Sequence, residues 1–405
     1  MTLKTRNIYA ILILFFLVVI TNICSAQTTI RVGIEPEKLM TTLRAQSFGG
    51  KWLFHLFRNT ASGCAEIETA EIVTGEDEAI MLIPKGLVLK SSMDKENILG
   101  YDKIIIEGGE LISLQLPDLT PKIFEGKLEI THNKEFISIV NILPIEKYVV
   151  ACASLDIITI EPEAIKAHLA VLNTKANYFL KNTNHPKDDF DVCDKPHCLE
   201  FNGCGGNREL IELLYPQVGK LNIYYKNKLI YPRYHVTCGG KISSALDVYG
   251  VDEPYHPAHS DIKDGKGSEN CFHSPSFHWT VEFPGTSVED YLSLEFAGGT
   301  ENVYTKWEAT KVDTAGRLLM IRLLGRKVKT LSGMEFFEHL HEHYGANSLK
   351  SMRFTVEELK RTVLVRGMGE GDGVGMCLYG ADGLARKKAT FEEIIQFYYP
   401  GTELK

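Results

Sequence analysis

Two thiols and two imidazoles fall within the fourteen residues from His185 to Cys198, HPKDDFDVCDKPHC, and no other stretch restricts the folding of the chain as tightly. Cys193, His197 and Cys198 form C-x3-H-C, with His185 eight residues upstream. One short loop can therefore wrap all four donors around a single tetrahedral ion, and mixed sulfur and imidazole donors suit zinc. Four protein ligands leave no open coordination position, which marks such a site as structural. A zinc hydrolase would need one of the four outside the ligand set so that water could bind. The competing reading pairs Cys193 with Cys198 in a disulfide beside solvated histidines. Asp194 and Pro196 favour a tight, fixed loop in either case.

The N-terminus reads as a secretory signal over residues 1–26. Lys4 and Arg6 precede an apolar run from Ile8 to Ile20, and Cys24-Ser25-Ala26 offers a small-residue cleavage site. The run is too short for a transmembrane helix, so no membrane span is expected after cleavage. Cys24 could alternatively carry a lipid, although Asn22 and Ile23 suit a lipobox poorly. Without Lys4 and Arg6 the mature chain carries 42 basic against 52 acidic residues, a net charge of −10 with neutral histidine. That balance argues against nucleic acid as a partner. With 44% hydrophobic residues the chain can bury a sizeable core, and its expected address is exported, periplasmic or extracellular, with association to the cell envelope. In such a compartment Cys238, Cys271 and Cys377 are the set expected to supply a disulfide.

The pattern from Thr28 to about Val140 is short, alternating and β-like, with TTIRVGI, KIIIEGGELISLQL, GKLEITH and EFISIVNIL separated by turn residues. It predicts antiparallel, barrel-like sheets rather than βαβ units. A helix is expected near Leu143–Leu155, and a stronger one from about Glu161 to Leu180, where Ile165, Leu169, Leu172, Ala176 and Phe179 form one apolar stripe. Lys166 and His168 lie off that stripe, and His168 is expected to be solvated or packed. Strands resume at LNIYYKN and KLIYPRYHVTCGG, whose Gly239-Gly240 pair lets backbone approach a ligand closely or simply turns the chain. Residues 262–275 read as a polar surface loop. His339, His341 and His343 share a helical stretch, but only two can face one way, and a solvated helix end is expected. The block from Gly367 to Gly383 is glycine-rich, yet the strand, helix and acidic partner of a dinucleotide fold are missing, so it reads as a close-packed glycine loop. Thr390 and Glu393 then make a capping box for a last helix. The fold class is α+β, mostly antiparallel sheet with a few helices around a central groove. Its expected parts are a β-rich region at 27–140 and a groove domain at 141–405 with a β-rich insertion near 262–350.

Several of these blocks, in order, resemble the stage II sporulation protein D family, the SpoIID/LytB domain. Phe124-Glu125-Gly126 is similar to its Tyr-Arg-Gly element, LPIEKYV from Leu143 to "PLEDYL", and PEAIKA from Pro162 to "LEALKAQ". The segment Asp189–Cys193 with His197-Cys198 resembles the family's metal segment, and Tyr234 to Gly240 its "SGG" turn. GVGM from Gly373 and YPGTEL from Tyr399 resemble its C-terminal signature. The resemblance implies an exported peptidoglycan-acting protein of lytic transglycosylase type that prefers denuded glycan strands. It also implies zinc held by His185, Cys193, His197 and Cys198, and a groove contacting sugar through Lys166, Gly239, Gly240, Asp372, Gly373 and Gly375.

Family members use a glutamate as general acid and then base, while the sugar's own 6-hydroxyl closes an anhydro ring. Here the corresponding position, eight residues after Tyr148, holds Asp156, one methylene shorter. Glu161 and Glu163 lie close enough in sequence to substitute. Leu199, Asp372 and Leu378 also stand where the family has glutamine, histidine and glutamine. Two functions therefore remain open. One is a glycan-cleaving enzyme with Asp156 as acid/base. The other is a non-catalytic module that binds peptidoglycan or enhances an amidase, with Asp156 only capping a helix or turn.

Overall fold

The computed structural model describes residues 28–405 apart from 36–42, 48–50, 61–62, 74–78, 83–86, 90–97, 109–110, 116–119, 134–135, 160, 205–207, 263–264, 266, 298–302, 346–347 and 360. The signal-like segment 1–26 lies outside the described residues. The chain divides into two compact units, one reaching to Tyr148 and including Asp188–Phe190, the other formed by Val149–Lys187 and Asp191–Lys405.

In the first unit, period-two alternation produces an antiparallel sheet. Its strands run side by side in the order Thr29–Ile34, Phe136–Pro144, Lys127–Asn133, Lys103–Gly108, Lys51–Thr60 and Gly63–Val73. One face carries Ile30, Val32, Phe54, Leu56, Ile104, Ile106, Leu128, Ile130 and Ile139, all buried. The opposite face carries Glu129 clamped between Arg31 and Lys103 at 2.8 and 3.0 Å. These cations hold the carboxyl below its ordinary value although burial pushes the other way. A second antiparallel sheet holds Lys122–Phe124, Ile112–Gln115, Leu43–Ser47 and Ala79–Leu82. None of the described sheets closes into a barrel.

Among the described residues there are eight helices: α1 (Ile145–Asp156), α2 (Pro162–Lys181), α3 (Arg208–Val218), α4 (Ala245–Tyr249), α5 (Ser287–Ala297), α6 (Gly333–Tyr344), α7 (Leu378–Arg386) and α8 (Phe391–Tyr398). None of the described helices is long and apolar enough to cross a membrane. The apolar stripe of α2 is buried as its periodicity requires, and the capping box of Thr390 and Glu393 opens α8. Around α2 pack α3, α7 and α8, giving a core that includes Val171, Ile223, Met376, Leu384 and Ile395. Beside this core Tyr234–His235 runs parallel to Met376–Cys377, and single bridges join Thr237 to Glu370 and Ser243 to Val374. The glycine-rich block is thereby laid along the Cys238-Gly239-Gly240 turn. A second core, with Trp279, Leu292, Ile321, Phe336 and Val365, fills the space among α5, α6 and two three-stranded sheets.

Four expectations change. Residues 262–275 are more than a surface loop, because Asn270 and Cys271 are almost wholly buried. Leu378 to Gly383, read as part of the glycine loop, belongs to the helix Leu378–Arg386, and its glycines serve close packing: a Cβ on Gly380 or Gly383 would strike Tyr398 Oη at 2.1 Å or the Asn270 carbonyl at 2.0 Å. KLIYPRYHVTCGG forms two two-residue strands, Lys228–Leu229 and Tyr234–His235, instead of a continuous one. Cys238, Cys271 and Cys377 are free thiols and not a disulfide pair, because three sulfurs converge on one carboxylate. The three α6 histidines stack on aromatic neighbours, His343 on Tyr291, His341 on Phe337 and His339 edgewise on Phe296.

Candidate functional site

Past the end of α2 the chain turns into the loop that carries the thiols and imidazoles. Thr183 Oγ1 donates to the Asp191 carbonyl at 2.6 Å and accepts from the His185 amide at 2.9 Å, which ties the two ends of the loop together. Asn184 donates to the His197 carbonyl, and the Cys198 amide to that of Lys195. These bonds bring the donor atoms of His185, Cys193, His197 and Cys198 within 4.8 Å of one another. Cys193 Sγ lies 3.9 Å from Cys198 Sγ, and the two imidazole Nε2 atoms are 3.2 Å apart. Cys193 to His197 and Cys198 to His185 measure 3.2 and 3.4 Å. Donors about 2.3 Å (sulfur) and 2.0–2.1 Å (nitrogen) from one tetrahedral ion stand about 3.8 and 3.3 Å apart, so the observed edges fit such an ion. The residues could hold a metal, and the sulfurs are thiols rather than a disulfide. Hydrogen bonding between the sulfurs pushes Cys193 up and holds Cys198 below the ordinary thiol value, so Cys198 surrenders its proton first.

Asp156 is the last residue of α1. Its Oδ2 accepts from Tyr234 Oη at 2.8 Å, across 78 residues of sequence, and His168 Nε2 stands 4.0 Å away. The His168 ring meets the Tyr234 ring edgewise at 5.1 Å. That imidazole is buried, its Nε2 makes no hydrogen bond among the described residues, and burial lowers its pKa against the pull of Asp156. His168 is therefore the packed histidine of the two alternatives, but packed against the candidate acid. Burial pushes the Tyr234 phenol well above its ordinary value, and Asp156 adds to this. The carboxyl opens onto a mostly apolar pocket lined by Ile158, Ile165, His168, Leu378 and Ala381. Leu378 thus supplies a hydrocarbon wall beside Asp156. Leu199, another departure from the family pattern, is buried in core.

Beyond Tyr234 the same face of α2 supplies Lys175, two turns after His168, with its ammonium 5.4 Å from the Tyr234 ring and 5.5 Å from that of Tyr231. Burial lowers Lys175 to about 8, opposed first by Asp372. Arg233 lies 3.9 Å over Tyr249 and 4.9 Å from Tyr231, and its charge is met by Glu253 at 3.0 Å. Tyr249 donates to Asp372 Oδ2, while Asp372 Oδ1 accepts the Val374 amide at 2.9 Å. Beneath Asp372, burial pushes His235 down to about 4. The arrangement is a row of aromatic rings with a carboxyl at either end and two cations between.

Lys166 stands apart from this row, paired with Glu163 at 2.8 Å. Glu163 also accepts the Phe391 amide, and although burial opposes it these partners keep the carboxyl ionised below its usual range, so it does not replace Asp156. Glu161 serves as the N-cap residue of α2. Gly239, Gly240, Gly373 and Gly375 are buried with positive φ. A Cβ on Gly373 would lie 2.0 Å from Arg317 Cζ, and one on Gly375 2.0 Å from the Arg233 carbonyl. The glycines shape the turns that present Asp372, and their open sides are filled by protein. Sequence reasoning missed Lys175, Arg233, Tyr234 and Tyr249. The seven-residue spacing of His168 and Lys175 on one helix face was the available signal.

No family model matches the chain. It is 27% identical to an uncharacterized protein of Brachyspira hyodysenteriae over 283 residues, 69% of this chain and 72% of that protein. It is 23% identical to stage II sporulation protein D of Bacillus subtilis over 277 residues, covering 65% of this chain and 74% of the relative. The amidase enhancer of Bacillus subtilis matches at 23% over 239 residues, 50% of this chain but 34% of that protein. These relatives support a SpoIID-like family for the chain, at modest identity.

Proposed function

We propose that this is an exported cell-wall protein that binds denuded glycan strands of peptidoglycan along the row from Asp156 to Asp372 and cleaves them in the manner of a lytic transglycosylase. The observation that carries the reading is the meeting of Asp156, Tyr234 and His168, distant in sequence, at the mouth of an apolar pocket. Relatives named stage II sporulation protein D and amidase enhancer support the cell-wall theme. In the proposed step Asp156 gives its proton to the glycosidic oxygen as that bond breaks. The sugar's 6-hydroxyl then bonds to the anomeric carbon and returns its proton to Asp156. Burial disfavours the charged form of His168, the imidazole packed beside Asp156. The aromatic faces and the two cations suit the alternating apolar faces and polar edges of a sugar chain.

One observation favours a second reading, a module that holds peptidoglycan or enhances an amidase without cutting. Asp156 Oδ2 is already engaged as the acceptor of the Tyr234 hydroxyl, as in a structural contact between the end of α1 and the Tyr234–His235 strand. In both readings His185, Cys193, His197 and Cys198 would hold zinc as a structural ion that fixes the loop after α2. Incubating the purified protein with denuded glycan strands and analysing the products by mass spectrometry separates the two. Cleavage predicts 1,6-anhydro-muramyl ends that disappear in Asp156→Ala. Strand binding without such products leaves the module, and the absence of both binding and products rejects the glycan reading.

A further inference from the structure

Cys238, Asp261, Cys271 and Cys377 each have no solvent exposure, and one donor atom from each lies within 4.8 Å of the others. Cys238 Sγ is 3.4 Å from Cys271 Sγ and 3.3 Å from Asp261 Oδ2. Donors held about 2.0–2.3 Å from a common tetrahedral ion have separations of this order. The four come from separate places in the chain: the turn before Gly239, the end of the short strand His259–Ser260, the 262–275 segment, and the N-cap of α7.

Backbone N–H groups point at the sulfurs. Gly240 donates to Cys238 Sγ at 3.3 Å, Cys238 donates to Cys377 Sγ at 3.3 Å, and Gly380 donates to Cys377 Sγ at 3.2 Å. A neutral thiol is a weak acceptor, whereas a metal-bound thiolate is stabilised by such donors. Cys377 also stands at the positive end of a nine-residue helix, which favours the thiolate. Asp261 is held as a ligand would be, its Oδ1 accepting from Tyr398 Oη at 2.8 Å and from Asn270 Nδ2 at 3.3 Å, its Oδ2 accepting from the Cys271 amide at 3.2 Å. Among the described residues no lysine, arginine or histidine forms an ion pair with this buried carboxyl. Such a group is costly without a cation.

We propose that Cys238, Asp261, Cys271 and Cys377 form a second, fully buried site for a thiophilic divalent cation, zinc, with three sulfur ligands and one carboxylate oxygen. Each thiol loses its proton to solvent as it coordinates. Three thiolates, one carboxylate and the ion leave a net charge of −2, offset by the backbone donors and by the buried Arg317 guanidinium, which donates to the Cys238 carbonyl at 2.8 Å. Four closed ligands assign the site a structural part. It joins the Cys238-Gly239-Gly240 turn to the start of α7, and so fixes the turn beside the loop that carries Asp372.

Counting metal per chain in the full mature protein, purified in zinc-containing buffer, tests this. The wild type is expected to hold two zinc ions, and Cys238→Ser/Cys271→Ser and Cys193→Ser/Cys198→Ser one each. If the first double variant does not fold, the wild type decides the matter after exchange with cobalt. Five cobalt–sulfur bonds give about 2.5-fold the thiolate-to-cobalt absorbance of the two at the loop site. A metal count unchanged in Cys238→Ser/Cys271→Ser, a cobalt spectrum with two sulfur ligands per chain, or a Cys238–Cys271 disulfide in the alkylated wild-type protein would overturn the proposal.

Discussion

The loop from His185 to Cys198 and the row from Asp156 to Asp372 carry chemistry of the same residue types but are assembled in opposite ways. The loop gathers its four donors from fourteen consecutive residues and closes them with local bonds such as Thr183 to Asp191. The row draws Asp156 from the end of α1, His168 and Lys175 from α2, Tyr231 to Tyr234 from a broken strand and Asp372 from the glycine-rich block. Short-range geometry suffices for the first, since closing a short loop costs little entropy. The second exists only when the core around α2 has formed. Changes in the loop should therefore register as stability, and changes in the row as glycan recognition.

The largest effect tests the loop. Cys198→Ser should remove one equivalent of zinc and lower stability by on the order of 4 kcal/mol, read by elemental analysis and urea unfolding. Unchanged stability with the metal gone would break the contrast, because the loop would then be an ornament on a self-sufficient core.

Acid should strain the row's foundation next. His235 is buried and neutral, with its folded-state value lowered to about 4. A base lowered in the folded state contributes stability that is present above its unfolded value near 6.5 and lost as pH falls from there toward 4. One such group amounts to about 3 kcal/mol over that window. Urea midpoints at pH 7 and pH 4.5 should differ accordingly, and His235→Gln should flatten the difference.

Gly373→Ala is expected to cost about 3 kcal/mol, since its φ of +78° disfavours a side chain and the new methyl meets Arg317. A Tm equal to the wild type would show that the turn can relax and that Asp372 is not rigidly presented.

The smallest stability change belongs to Tyr234→Phe, about 1 kcal/mol for one partly buried hydrogen bond, with a several-fold loss of affinity for denuded strands in a sedimentation assay. Unaltered affinity together with a large loss of stability would place Tyr234 with the core and sharpen where the row begins.

Periodicity in the sequence was enough to define α2, the alternating strands of the first unit and the capped final helix, because each depends on neighbours within a turn or across one pleat. Spacing alone likewise put His185, Cys193, His197 and Cys198 around one point. Only the tertiary structure decided that Lys166 turns to Glu163 while Lys175 faces the rings. It also showed that Gly373 and Gly375 pack on protein and that Cys271, from a stretch that reads as surface, is buried with Cys238 and Cys377. The physical reason is range. Backbone propensity and short loops act over a few residues, whereas contacts between residues 156 and 234 or 238 and 377 form only when packing against α2 has offset the entropy of bringing them together.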